Sequence, residues 1–343
     1  MKIIIDAMGG DLAPEAPVLG ALQGAKDFGA QITLVGRGEE ILQVMKKNGI
    51  SDLPEGVEIA NADDVVDMHD DPATVLHKRK NSSMVVGLRM LAEGQGDAFI
   101  SAGSTGALLT GATLLVKRVK GIRRAAMGPA MPNKAGGKTV ILDCGANAEC
   151  TPEFLLQFGL VGSLYAKKCL GIENPRVGLL NIGAEDSKGT PLQKEAYGLL
   201  QEAGSRGLLN FTGNVEARDV PMGAVDVVVC DGFSGNVLLK SIEGTAAFMG
   251  SLVSRMFKKN ALTKVAALLC SSGIKSLKKL LDYREIGGTQ FLGIRNPEIK
   301  AHGSSDAKAF SNAVGQAMEA AGQDFSQELE AGLRILQAKE NEE

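Results

Sequence analysis

The chain has 343 residues, with 37 Lys and Arg against 40 Asp and Glu, a net charge of -3 and 44% hydrophobic residues. That length and apolar fraction suffice for two average domains or one large α/β unit. With no basic excess, no Trp and only three Tyr, the chain offers neither the electrostatic footprint nor the stacking platform of a general nucleic-acid binder.

Strand signals fall at residues 3–6, 32–35, 57–60, 98–101, 140–143, 177–181, 210–212, 227–230 and 289–292. Helical patterns lie between many of them, at 16–28, 39–48, 83–92, 105–115, 152–170 and 191–202. Short apolar runs bounded by turn residues read as buried parallel strands. Their alternation with helices predicts right-handed crossovers and a largely parallel sheet covered on both faces. No repeat or low-complexity linker divides the chain, so one α/β domain over 1–343 is expected. The chain opens directly in a strand, so no secretory leader is expected. No apolar run reaches the roughly 18 residues of a membrane span. The five Cys are odd in number and include no CxxC pair, which fits a reduced cytosolic protein and argues against a zinc site.

The stretch from Val237 to Tyr283 breaks the rhythm, being mostly helical. Between Arg255 and Arg284 it carries eight Lys or Arg, among them Lys258, Lys259, Lys278 and Lys279, and the single acid Asp282. Leu262, Val265, Leu268 and Leu269 form one apolar stripe, and Ser271-Ser-Gly273 breaks the helix. A helical hairpin over 240–284, projecting from the domain, is expected. It suits docking of an acidic partner, contact with anionic lipid, or ordinary helix packing. The tail opens with Ser304-Ser-Asp306, a helix N-cap signal.

Six of the apolar runs end in turns of Gly, Asn, Ser, Thr or Asp. In open α/β sheets, ligands sit beyond the carboxyl ends of the strands. These turns therefore line one crevice with backbone amides, small hydroxyls and a few charges, a surface suited to phosphate or another small anion. In Ser101-Ala-Gly-Ser-Thr-Gly-Ala107, Gly103 and Gly106 admit close backbone approach, and Ser104 and Thr105 add hydroxyls. Gly9 and Gly10, between Asp6 and Asp11, offer a similar turn. Lys188 in Glu185-Asp-Ser-Lys-Gly189 can hold a phosphate as a point charge. Asp231-Gly-Phe-Ser-Gly-Asn236 has the outline of a nucleophile elbow around Ser234 and Gly235, but no base for Ser234 is recognisable among the three His. The amide of Asn236 is the more useful group there. Asp6, Asp11, Asp143 and Asn147 gather at strand ends. Without tight DxD or HxxE spacing, loop orientation through backbone N–H groups is favoured over metal binding.

Together these motifs resemble the bacterial phosphate acyltransferase family, from Asp6-Ala-Met-Gly-Gly-Asp11 through Lys80-Asn-Ser-Ser-Met84, Asp143-Cys-Gly-Ala-Asn147 and Gly213-Asn-Val-Glu-Ala-Arg-Asp219 to Lys300-Ala-His-Gly-Ser-Ser-Asp306. The resemblance implies a Rossmann-like three-layer αβα fold with a mainly parallel sheet, similar to the isocitrate and isopropylmalate dehydrogenase class. It implies transfer of a fatty acyl group from acyl-acyl carrier protein to inorganic phosphate, feeding phospholipid synthesis; no cofactor is expected, and no metal ligands are assigned. It also implies a homodimer with the active site near the subunit interface. Such an enzyme is cytoplasmic and held peripherally at the inner face of the membrane, where a glycerol-3-phosphate acyltransferase is a candidate partner. The family's proposed catalytic pair falls on Lys188 and Asn236, and its membrane-contacting element near Leu262–Leu269. Two positions depart from the pattern: Leu12 stands where the family usually has His, and Ser104 where it usually has Asn. The rival readings are a nicotinamide-dependent dehydrogenase of the same fold class, a non-catalytic carrier-protein or membrane scaffold, and a phosphate-independent thioesterase.

Overall fold

The computed structural model describes residues 1–275 and 287–340. The expected αβα layering with mainly parallel strands is present, and the strands divide between two sheets. The first holds seven strands, in order β3-β2-β1-β4-β12-β11-β5. These are β1 (Lys2–Asp6), β2 (Gln31–Gly36), β3 (Val57–Asn61), β4 (Ala98–Ser101), β5 (Ala126–Gly128), β11 (Gly288–Leu292) and β12 (Glu298–Ala301). The run from β3 to β12 is parallel, whereas β11 is antiparallel to both β12 and β5. The second sheet has order β6-β7-β10-β8-β9: β6 (Ala130–Pro132), β7 (Lys138–Leu142), β8 (Arg176–Asn181), β9 (Asn210–Glu216) and β10 (Val227–Val229). Only β6 is antiparallel to its neighbour.

Ile3, Ile4 and Ile5 are all fully buried, which requires cover on both faces of β1 and explains its unbroken apolar run. On one face, Ile3, Ile5 and Ile32 join Phe310 and Val314 under helices α1 (Glu15–Phe28) and α10 (Ala307–Ala321). On the other, Ile4 and Phe99 join Leu88 and Leu108 under α4 (Ser83–Ala92), α5 (Thr105–Gly111) and a π turn at Ala112–Val116. Two further helices, α2 (Gly38–Lys47) and α3 (Val75–Lys78), complete this half. The second sheet is covered on one face by α6 (Pro152–Cys169), α7 (Pro191–Ser205) and α11 (Phe325–Glu340). There Phe158, Leu200 and Leu329 meet Leu142, Val177 and Val227. Its other face receives Leu238 and Leu239 of α8 (Gly232–Phe257), against Ile141 and Val228.

The two cores meet where Ala126 and Leu292 of the first sheet join the cluster of the second; the chain crosses to the second sheet at Pro129, between β5 and β6, and returns to the first at β11. Beyond Leu239, α8 has no buried residue, and neither has α9 (Ala261–Leu269). The break after α9 comes at Cys270, and residues 271–275 are helical again. Asp306 is the tail's N-cap, accepting from the amide of Ala309 at 3.0 Å. Among the described residues no helix is long and apolar enough to cross a membrane.

Candidate active site

The turn after β1 is built around a buried carboxylate. Asp6 accepts from the Ser101 hydroxyl at 2.7 Å and from the amide of Met8 at 3.1 Å. The Gly9 amide and the Ser83 hydroxyl of α4 also bond to it. Burial raises its pKa, and these four donors oppose the shift. Ser101 in turn accepts from the amide of Gly103 at 3.0 Å. One carboxylate thus fastens three elements. A Cβ on Gly9 would fall 2.5 Å from Asp6 Oδ2 and 2.8 Å from the Gly103 nitrogen, so only glycine lets these two turns meet. The Gly9 and Gly103 amides are thus bonded to Asp6 and Ser101. Asp6 is buried beneath the turns after β1 and β4 and holds them together.

Ser104 caps α5, accepting from the amide of Ala107 at 3.5 Å, and leaves the first-turn amides of Thr105 and Gly106 without intrahelical partners. Asp11 donates its amide to the Gly303 carbonyl at 2.8 Å, which ties the turn after β1 to the turn after β12. Lys300 of β12 reaches into the same corner. Its Nζ donates to Ala102 O at 3.3 Å and to Ala301 O. Burial brings its pKa down to about 8, with Asp6 and Asp11 acting in the opposite direction. Neither Ser101 nor Lys300 stands out as a ligand in the sequence. The only signal for Lys300 is its place at the start of the Lys300–Asp306 motif.

In the second half, the turn after β7 is organised by Asp143. Its carboxylate accepts from the amides of Met127 at 2.8 Å, Ala146 at 3.2 Å and Asn147 at 2.6 Å. Asn147 Nδ2 donates both to Asp143 at 3.0 Å and to Ala125 O at 2.8 Å. Asn147 therefore joins the two halves of the molecule, and its side-chain amide hydrogens are already placed. Asp143 is fully buried, and burial raises its pKa against these donors.

The turn after β10 starts α8. Asp231 is the N-cap and accepts from the Ser234 amide and hydroxyl, both at 2.8 Å. The Ser234 hydroxyl thus donates to a carboxylate, with no histidine as base, which leaves the nucleophile-elbow outline without its chemistry. Gly235 is buried and Asn236 exposed. Asn236 Cβ and Cγ lie 3.9 Å from where a side chain on Gly145 would begin, so the turns after β7 and β10 touch at this amide.

The loop after β8 carries Lys188. Asn181 Nδ2 donates to Lys188 O at 3.1 Å and Asn214 Nδ2 to Glu185 O at 2.7 Å. The loop backbone is fixed by these bonds while the Lys188 side chain stays exposed. Among the described residues its ammonium has no ion-pair partner. β8 and β10 are parallel neighbours, Leu179 opposite Val229. Lys188 and Asn236 therefore stand on adjacent strand-end turns at the same edge of the sheet.

The two walls approach each other at His302, after β12. Burial, Lys240 of α8 and Lys300 all lower its pKa, while Glu243 and Asp11 act the other way. Among the described residues no group of three His, Cys, Asp or Glu is arranged to hold a metal ion. Burial raises the Cys144 and Cys230 thiols, and takes Cys150 up to about 12, which keeps them protonated and weakly nucleophilic. On the projection, Lys258 and Lys259 follow α8, and Leu262, Val265, Leu268 and Leu269 are all exposed. Lys278 and Lys279 lie outside the described residues.

Residues 1–328 match the protein family described as Fatty acid synthesis protein. The phosphate acyltransferase of Alkaliphilus oremlandii is 50% identical over 320 residues, covering 93% of each chain. That of Thermoanaerobacterium thermosaccharolyticum is 42% identical over 336 residues, covering 98% of each. A phosphotransacetylase from Streptococcus pyogenes shares the fold, with a TM-score of 0.61 at 18% identity over 94% of both chains. A chain with these relatives, spanning nearly their whole length, belongs to the phosphate acyltransferase family and is an acyltransferase.

Proposed function

We propose that this acyltransferase moves a fatty acyl group from acyl-acyl carrier protein to inorganic phosphate, giving an acyl phosphate for phosphatidic acid synthesis. The observation that carries the reading is the meeting of strand-end turns at one edge of the second sheet. There Asn236 stands against Gly145, and Lys188, on the turn of the neighbouring strand, has no ion-pair partner among the described residues.

The chemistry asks little of the protein beyond placement and charge. A thioester carbonyl is already activated, and phosphate dianion is itself a nucleophile. A phosphate oxygen adds to the carbonyl carbon. The tetrahedral intermediate collapses, the C–S bond breaks, and the thiolate of the carrier leaves and takes a proton from water. Lys188 holds the phosphate and offsets the charge of the adduct. Asn236 donates its amide to the developing oxyanion. No enzyme thiol is needed as a nucleophile, which suits thiols whose burial keeps them protonated.

The same reading gives α9 a surface role. Its exposed leucines rest on the membrane, and Lys258 and Lys259 attract anionic headgroups or the acidic carrier protein. The enzyme works as a homodimer. The test is thiol release from palmitoyl-acyl carrier protein with and without inorganic phosphate, with hydroxylamine trapping. Phosphate-dependent release with a trapped hydroxamate is expected. Release that does not depend on phosphate would overturn the reading in favour of a thioesterase.

A further inference from the structure

Lys300 is a cation that the chemistry above leaves unused. It sits near the carboxyl end of β12, opposite Ser101 of β4 in register. Its Nζ donates to the carbonyls of Ala102 and Ala301. An ammonium has three donors, so one remains. Among the described residues no carboxylate is at ion-pair distance from it. Two partners hold it in place without neutralising it.

Its surroundings set the direction of the field. Asp6 from β1 and Asp11 from the following turn are the acids that act on it. Asp6 is already engaged by Ser101, Ser83, Met8 and Gly9. His302 lies two residues along its own strand end, and beyond it stand Lys240 and Glu243 of α8. Glu298, two residues back, is fully buried. Gly10 approaches this corner closely: a Cβ there would lie 2.9 Å from Ala102 Cβ and 3.1 Å from Gly303 O. The Lys300 ammonium and the Gly10 backbone thus meet the same two turns.

We propose that Lys300 is a further phosphate-binding residue, its third donor holding an oxygen of the phosphate from the first-sheet wall while Lys188 acts from the second. The proposal rests on phosphate being the acceptor substrate. Two cations on opposite walls match a dianion. The low dielectric that makes a partly buried ammonium easier to deprotonate also makes its attraction for that dianion stronger.

The test uses the full-length enzyme, with palmitoyl-acyl carrier protein and inorganic phosphate varied separately from pH 7.5 to 9.5. Phosphate is already mostly dianionic at pH 7.5 and gains little further charge above it, whereas burial brings the Lys300 ammonium down to about 8, inside this range. In the wild type, the phosphate KM is expected to rise about tenfold over this range. The acyl carrier protein KM should change little. Lys300→Met should raise the phosphate KM about tenfold or more at pH 7.5 and flatten its pH dependence. Lys300→Arg should keep the cation and hold the KM low up to pH 9.5. A Lys300→Met enzyme with the wild-type phosphate KM and pH profile overturns the proposal. If Lys300→Met does not fold, Lys300→Gln takes its place, and a wild-type phosphate KM in that variant overturns the proposal. Failure of the function itself reads differently: the wild type would then show no phosphate-dependent acyl transfer at any pH.

Discussion

A side-chain carbon on Gly235 would sit 1.9 Å from the carbonyl oxygen of Asp143, inside any nonbonded contact distance. The second position of this approach is no freer. Cys230 Sγ bonds the same carbonyl at 3.4 Å, and Cys144 Sγ bonds Gly235 O at 3.5 Å. The Asp143 carboxylate, in turn, is held by three backbone amides. Gly235→Ala must therefore push α8 away from the turn after β7 and carry Asn236 with it. The expected result is about 1–3 kcal/mol lost from the unfolding free energy and roughly a hundredfold fall in turnover. Denaturant titration and steady-state kinetics measure the two effects. A variant with both values intact would show that the helix has room to give.

Lys188 and Asn236 should be separable by kinetics. Lys188→Ala removes the charge proposed to bind phosphate and offset the adduct. Turnover should fall by about 10² or more, with a raised phosphate KM. Asn236→Ala removes the donor proposed to meet the developing oxyanion, so kcat should fall about as far with little change in either KM. Cys150→Ala, by contrast, should keep wild-type turnover because the proposed direct attack has no covalent thiol step. Loss of activity in that variant, or near-normal turnover in Lys188→Ala, would reject the direct-attack mechanism.

Local signals carried much of the architecture. Ser83–Ala92 and Ala98–Ser101 end where the sequence says they should, because Ser82 caps the one and Gly103 closes the other. Three strands escaped. Ala126–Gly128 and Ala130–Pro132 are only three residues long and contain Gly and Pro, which reads as loop. Glu298–Ala301 places Glu and Lys in a central buried strand, against every strand preference. The split into two sheets depends on pairings such as Glu298 with Phe99, which no local pattern encodes. The site divides the same way. Lys188 and Asn236 are legible because each lies inside one short motif. Ser101, Ser83 and Lys300 gain meaning only when β1, β4, α4 and β12 are assembled around Asp6.

Glu298 makes a stability prediction of its own. It is fully buried, and neither carboxyl oxygen has a hydrogen-bond partner among the described residues. Burial raises its pKa well above the usual carboxylate value, so the folded protein keeps a proton that the unfolded chain releases above about pH 4.5. Stability must therefore fall as pH rises from that point toward the folded-state pKa, and the full cost stands above it. Glu298→Met keeps the volume and removes the cost. The variant should gain about 1–3 kcal/mol at pH 8 and lose this part of the pH slope, as read from denaturant midpoints at pH 5 and pH 8. A Met variant less stable than the wild type at pH 8 would show that the carboxyl has a partner in solution.

The projection can be tested without touching the crevice. Leu262 is 82% exposed, Leu268 78% and Leu269 82%, on a helix with no buried residue. Phe248, Met249 and Met256 of α8 are also more than half exposed, so the apolar surface continues along the arm. Each leucine sunk into a bilayer contributes about 1.5–3 kcal/mol, and each lysine beside an anionic surface about 1 kcal/mol. Leu268→Glu/Leu269→Glu should thus abolish cosedimentation with phosphatidylglycerol vesicles. Lys258→Glu/Lys259→Glu should weaken it by about tenfold or more, with a loss that high salt reproduces in the wild type. Both variants should keep the thermal midpoint of the parent, because α9 carries none of the core. If instead the leucine variant binds vesicles normally and elutes as a smaller particle in gel filtration, the face belongs to the contact between two copies of the chain and the membrane assignment fails.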